Sequence, residues 1–191
     1  MTIKACVLGL SASLILIAPA IAAPPKALTL KPVPVVAPPP PVYPPYGRSV
    51  TLAEAKVIVA AAEAESIKNG WNMVITVVEP NGALVLSEKM DGAQYGSLGV
   101  AQGKAETAAK FRRPTLYFQE AVKNGTLNSI FTGAMALEGG ELIIIDDRIV
   151  GAVGVSGGSA PQDGIIARAG AASVAPPPPP APVTVPAPAT N

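Results

Sequence analysis

Between residues 49 and 174 the apolar positions recur in alternating blocks of helical and strand spacing. Leu52, Ala55, Val59 and Ala62 follow three- and four-residue steps, which predicts an amphipathic helix. Thr51 and Glu54 fit a capping box at its start, the hydroxyl accepting from an early amide while the carboxylate reaches back. Asn69-Gly70 ends it, because glycine takes the left-handed position without strain. Met73 to Val78 is a nearly continuous β-branched run, as expected of a strand covered on both faces. Pro80-Asn81-Gly82 is turn chemistry, and Ala83 to Lys89 returns as a second strand. A helix with a small-residue surface runs from Ser97 to Phe111, and Pro114 stops it. Thr115 to Lys123 reads as helix, closed by Asn124-Gly125, while 127–138 fits either a short helix or a strand. Glu141–Ile145 and Ile149–Ser156 form a hairpin around Asp146-Asp147-Arg148, and Pro161 opens a last helix through Ala172. The order α-β-β-α-α-β-β-α predicts an α+β fold, a central antiparallel sheet flanked by helices.

The ends of the chain are built differently. Lys4 precedes an apolar run from Val7 to Ile17, and Ala20-Ile21-Ala22 offers a small-x-small cleavage site, so residues 1–23 read as a secretory signal peptide. A membrane anchor is the competing reading, but the run is shorter than the ~20 residues a bilayer requires. Residues 24–48 form a proline-rich linker and 175–191 a proline-rich tail. Proline fixes φ and removes a backbone donor, so such tracts adopt polyproline II and build no core. They serve as semi-rigid spacers or, on a sharper reading, as ligands for proline-recognition modules.

Composition narrows the chemistry further. The chain carries 14 basic and 13 acidic residues, and loss of Lys4 with the leader would leave 13 against 13. That balance and 4% aromatic content argue against a nucleic-acid partner. The chain contains no histidine, and its one cysteine, Cys6, lies in the leader. Imidazole-based triads, the zinc-protease motif and imidazole-ligated haem are therefore excluded. After cleavage no thiol nucleophile or thiolate ligand would remain.

Two segments carry the candidate chemistry: Lys104-Ala-Glu-Thr-Ala-Ala-Lys-Phe-Arg-Arg-Pro-Thr115, and Val150-Gly-Ala-Val-Gly-Val-Ser-Gly-Gly158. Arg112 and Arg113 stand where a helix gives way to Pro114, and two guanidiniums can hold carboxylates bidentately. The plainer reading is that they complement a helix C-terminus. Lys104 can pair with Asp91, face a bound anion, or form an ordinary surface salt bridge. Gly151, Gly154, Gly157 and Gly158 leave a strand just ahead of a helix N-terminus, a geometry that can present amides to an anion or simply allow close packing. Gln162-Asp163 favours the positive end of the last helix.

These two segments resemble the GlcG/HbpS-type haem-binding family, in which KAxTAxxFxxPT and GAxGVSGG recur. The resemblance covers essentially all of 49–174 and implies a profilin-like α+β fold and a haem cofactor. It also implies a site edged by the Lys104–Thr115 helix end and the Gly151–Gly158 loop. Arg112 and Arg113 would meet the propionates there, with Lys104, Gly157 and Gly158 nearby. Thr115 is the first candidate for an oxygen ligand to haem iron and Tyr117 the second, since phenolate ligation has precedent. Thr115 could equally cap a helix and Tyr117 pack, and Met73 or Met90 could reach iron through sulfur. The expected function is an exported, periplasmic or secreted haem-binding protein, with haem sensing or degradation as further possibilities. Any degradation would draw its reactivity from iron rather than from side chains. The resemblance also raises use of a glycolate-type organic acid, and a third reading is a non-catalytic envelope interaction module tethered by the proline-rich tails. A homo-oligomer is expected both from the resemblance and from the small-residue helix Gly99–Ala109, which permits close helix contact.

Overall fold

The computed structural model describes residues 43–127 and 133–174. The expected signal peptide, most of the proline-rich linker and the C-terminal tail lie outside the described residues, as does part of the ambiguous 127–138 stretch. Residues 133–139 are neither helix nor strand.

The elements are α1 (Leu52–Asn69), β1 (Val74–Val78), β2 (Leu84–Lys89), α2 (Ser97–Phe111), α3 (Thr115–Lys123), β3 (Gly140–Ile145), β4 (Arg148–Ser156) and α4 (Ala160–Ala172). The strands form one antiparallel sheet in the order β2-β1-β4-β3. This is the α+β arrangement expected from the pattern. The Thr51–Glu54 capping box is present, and Gly70 closes α1 at φ 70°. Leu52 is the exception on the α1 face: it is exposed, and the buried stripe is Ala55, Ile58, Val59, Ala62 and Ser66.

The sheet is covered on both sides, which explains its unbroken apolar runs. Alternation divides the strands between two layers. Ile75, Val77, Val153 and Val155 meet Ile58 and Val59 of α1 and Ile166 and Ala167 of α4 in the larger core. Val78 and Ala152 face the other way, against Ala105, Ala108 and Ala109 of α2. Here the small residues of α2 find their use. Gly154 pairs with Thr76 on one side and Gly140 on the other. A Cβ on Gly154 would stand 2.0 Å from the Ala101 carbonyl oxygen, and one on Gly140 would stand 2.5 Å from that of Lys104. The helix therefore lies directly on the sheet backbone. Ala101, Ala105, Ala108 and Ala109 are spent on that contact, so they offer no surface to a second copy.

Chain before the family-like segment also joins the sheet. Tyr46 bridges Ile149 in parallel, Gly47 donates to the Ile149 carbonyl at 2.8 Å, and Ile149 donates back to Pro45 at 2.9 Å. The end of the proline-rich linker is thus tied to β4.

Candidate functional site

The α2–α3 corner brings two arginines and several rings together. Arg112 leaves α2 in the left-handed conformation, φ 54°, with the amides of Arg112 and Arg113 closing back on Ala109 and Ala108. Pro114 then starts α3 by blocking helix continuation. A non-glycine residue at positive φ costs about 1–2 kcal/mol, so the bend is held by its surroundings. It delivers the Arg113 guanidinium between two rings, 4.5 Å from the centroid of Tyr43 and 4.2 Å from that of Tyr117. Arg112 lies 5.3 Å from Tyr43 and 5.6 Å from Tyr46. Phe118 packs edge-on against both Tyr117 and Phe111, which fixes the ring behind the guanidinium. Arg113 also donates to the Tyr43 hydroxyl and to the Phe111 carbonyl. No carboxylate pairs with either arginine among the described residues. The corner is an open shelf, with an apolar hollow of about 320 Å³ beside it, lined by Tyr46, Pro80, Asn81 and Lys110.

A second cationic centre is wholly internal. Lys104 is 1% exposed, and its Nζ donates to Asp163 Oδ2 at 2.7 Å and to the Val155 carbonyl at 2.9 Å. The other carboxylate oxygen of Asp163 accepts from the Gly158 amide at 2.9 Å, and the Gly157 amide also stabilises the charge. Burial pushes the Lys104 ammonium down and the Asp163 carboxyl up, and the contact between them opposes both shifts. Arg168 continues the charged layer outward, bridging Glu138 at 3.0 Å and Glu141 at 3.4 Å. The space a side chain at Gly164 would need is taken by Glu138.

This network corrects several expectations. Lys104 pairs with neither Asp91 nor an outside anion and forms no surface bridge; its partner is Asp163, 59 positions away in sequence. The amides of Gly157 and Gly158 are engaged by the chain's own carboxylate, so the anion this loop holds is Asp163. Asp163 is more than a helix-dipole residue, because it joins α4 to α2 across the end of β4. Between α2 and the Gly151–Gly154 part of the loop there is no crevice, whereas Gly157 and Gly158, at the loop's far end, line a separate hollow of about 410 Å³ with Trp71, Asn72 and Gln162. Gly154 lies against α2, and a Cβ on Gly151 would meet the Val78 carbonyl oxygen at 2.3 Å.

Thr115 is also inside. It is 0% exposed and opens α3, and its hydroxyl accepts from the Gly140 amide at 2.8 Å, tying the helix to the entry of β3. In this fold it is out of reach of a guest's iron. Met73 is fully buried, and its amide donates to the Met90 sulfur at 3.4 Å, so both methionines belong to the core. Tyr117 is 54% exposed, and its hydroxyl has no hydrogen-bond partner among the described residues. The expected set therefore divides: Arg112, Arg113 and Tyr117 come together at one corner, Lys104 and Thr115 are buried in the fold, and Gly157 and Gly158 lie apart from both, their amides turned to Asp163. Tyr43 and Tyr46 belong to the corner but were read as linker. Two tyrosines among prolines, next to the first helix, were the available signal.

No helix among the described residues is long and apolar enough to cross a membrane. No cluster of acidic side chains there could hold a metal ion. The domain is thus a three-layer α+β fold that carries a pair of aromatic-stacked guanidiniums at the α2–α3 corner. Residues 50–172 match the family described as haem degrading protein HbpS-like, and the chain belongs to that family. It is 38% identical to Protein GlcG of Escherichia coli K12 over 103 residues, covering 53% of this chain and 77% of GlcG. The solved structure of HbpS superposes with a TM-score of 0.61 at 30% identity, covering 66% of this chain and 90% of HbpS. A PduOC–heme complex superposes with a TM-score of 0.61 at 25% identity, covering 66% of this chain and 95% of that one.

Proposed function

We propose that this protein is an exported haem-binding protein that receives its guest at the α2–α3 corner. The observation that carries the reading is the Arg112–Arg113 pair, which has aromatic faces beside it and no carboxylate partner among the described residues, in a family with a haem-bound structural relative. The donors fit the group. Two guanidiniums match two propionates, and the exposed Tyr117 ring stands beside them. Arg112 and Arg113 would hold the carboxylates, and Tyr117, the exposed phenol beside them, would supply the oxygen donor in place of Thr115. Haem, when bound, brings a redox-active iron, and haem degradation would rest on that iron. The chain's own part is to bind, to orient, and to set the charge around the guest. With no histidine in the chain, no imidazole takes part in this scheme.

Export supplies the setting: a leader over 1–23, cut after Ala22 or Ala23, would release the protein to the periplasm or the medium. N-terminal sequencing of protein from fractionated cells checks this, and a mature chain still beginning at Met1 would contradict it. A homo-oligomer would enclose the open shelf by placing a second copy over it, and sedimentation with and without hemin reads that out. The binding test is a hemin titration followed at the Soret band. A saturable shift is expected, and its absence would overturn the reading. A small organic acid is the second reading, favoured by the open shape of the corner, since two guanidiniums can grip one carboxylate without an enclosing slot. Calorimetry with glycolate separates the two.

A further inference from the structure

The arginine corner already holds an aromatic guest, and that guest is the chain itself. Tyr43 lies over Arg113, accepts a hydrogen bond from it through its hydroxyl, and lies within 5.3 Å of the Arg112 guanidinium. Tyr43 precedes the family-matched span of 50–172. Its two ends are held unequally. Toward the domain, Tyr46 donates to the Ala109 and Lys110 carbonyls at 2.9 and 3.1 Å, and Pro45 and Gly47 are bonded to Ile149 of β4. Among the described residues, the hydrogen bond and the cation–π contacts of the Tyr43 side chain are all to the two arginines. Pro44 and Pro45 lie between the anchor and the ring, and proline's fixed φ makes that connection short and stiff. The ring is therefore presented to Arg113 at high effective concentration and with little ordering cost. A planar carboxylate needs the same guanidinium face and the same donors.

We propose that Tyr43 is a built-in competitor for the arginine corner, carried on the Pro44-Pro45 arm and anchored through Tyr46, so that a planar anionic guest binds by displacing it. This deepens the functional reading above and rests on the arginines being the ligand site. Stacking of a cation on an exposed ring is individually weak, so the strap lowers affinity without blocking it. The protein then discriminates against weakly held anions and releases its guest more readily than a bare corner would.

The test compares full-chain protein with Tyr43→Ala, Tyr43→Phe and Tyr46→Ala, titrated with hemin and, separately, with iron-free protoporphyrin IX. Tyr43→Ala should bind both about three- to tenfold more tightly, mainly through faster association. Tyr43→Phe, which keeps the ring and loses the hydroxyl, should fall between it and wild type. Tyr46→Ala, which frees the anchor, should follow Tyr43→Ala. Wild-type binding that is saturable but unchanged in Tyr43→Ala would overturn the strap and leave the arginine reading standing. Weaker binding in Tyr43→Ala would overturn it in favour of Tyr43 as a wall of the site. Absence of binding in wild type and all variants would remove the arginine reading, and the strap with it.

Discussion

Two cationic centres lie a little more than two helical turns apart, one on α2 and one just past its end, and the fold gives them opposite work. Lys104 points into the protein, where Asp163 and the Val155 carbonyl accept from it, and the loop glycine amides donate to Asp163 in turn. Arg112 and Arg113 stand at the helix end, where their neighbours are rings rather than carboxylates. The difference lies in what already answers the charge. A buried cation with a complete set of acceptors is part of the scaffold. A cation faced by π surfaces keeps its capacity for an anion. Both belong to one sequence motif, so motif membership alone does not make a residue a ligand.

The sharpest way to break the comparison is at the buried pair. Lys104→Met should cost about 3–5 kcal/mol in urea denaturation, because it strands the Asp163 carboxylate. Adding Asp163→Leu should cost less than the sum of the two single changes, which a double-mutant cycle reads directly. If Lys104→Met left stability intact, the claim that this centre is structural would fail. Next in size is Gly154→Ala, whose methyl meets the Ala101 carbonyl. A loss of about 3 kcal/mol is expected, with α2 displaced from the sheet.

At the corner the balance reverses. Arg112→Gly should raise stability by about 1 kcal/mol, since glycine accepts φ 54° without the Cβ penalty, while weakening hemin binding severalfold. Stability that falls on this change would mean that the arginine holds the bend. The smallest expected effect is at the start of α1. Arg48 and the Thr51 amide hold the Glu54 carboxyl down to about 2, from an ordinary 4.5. A depressed carboxylate stabilises the fold above its unfolded value and loses that contribution as pH falls, here from about 4.5 toward 2. The site is near the surface, so solvent screening keeps the effect below about 1 kcal/mol. Glu54→Gln should remove that part of the acid dependence, measured as urea midpoints across the same range.

The elements were legible because their signals are local. The Thr51–Glu54 cap, the breaker Pro114 and the Asp146-Asp147 turn, with both residues at positive φ, each act within a few residues of themselves. The strand bounds followed for the same reason, and 127–138 fits either element because no clean period runs across Gly133. The site was legible only in part. Arg112, Arg113 and Tyr117 sit close together in sequence, so their meeting is a property of one turn. The fate of Lys104 depends on β4 and α4, more than fifty positions on, and no spacing rule reaches that far. The glycines of β4 looked like an anion loop because close packing and anion binding demand the same residue. Tyr43 and Tyr46 were hidden by their prolines, a composition that reads as spacer even where its last residues dock.

The central claim is that ligand chemistry resides at the helix end and the glycine loop is scaffold. Soret titration of hemin into wild type and into an Arg112→Ala/Arg113→Ala double variant, each with its thermal midpoint, tests it most directly. The account predicts saturable binding in wild type, affinity lowered at least about tenfold in the variant, and little change in midpoint. Equal affinity in the two proteins would contradict it.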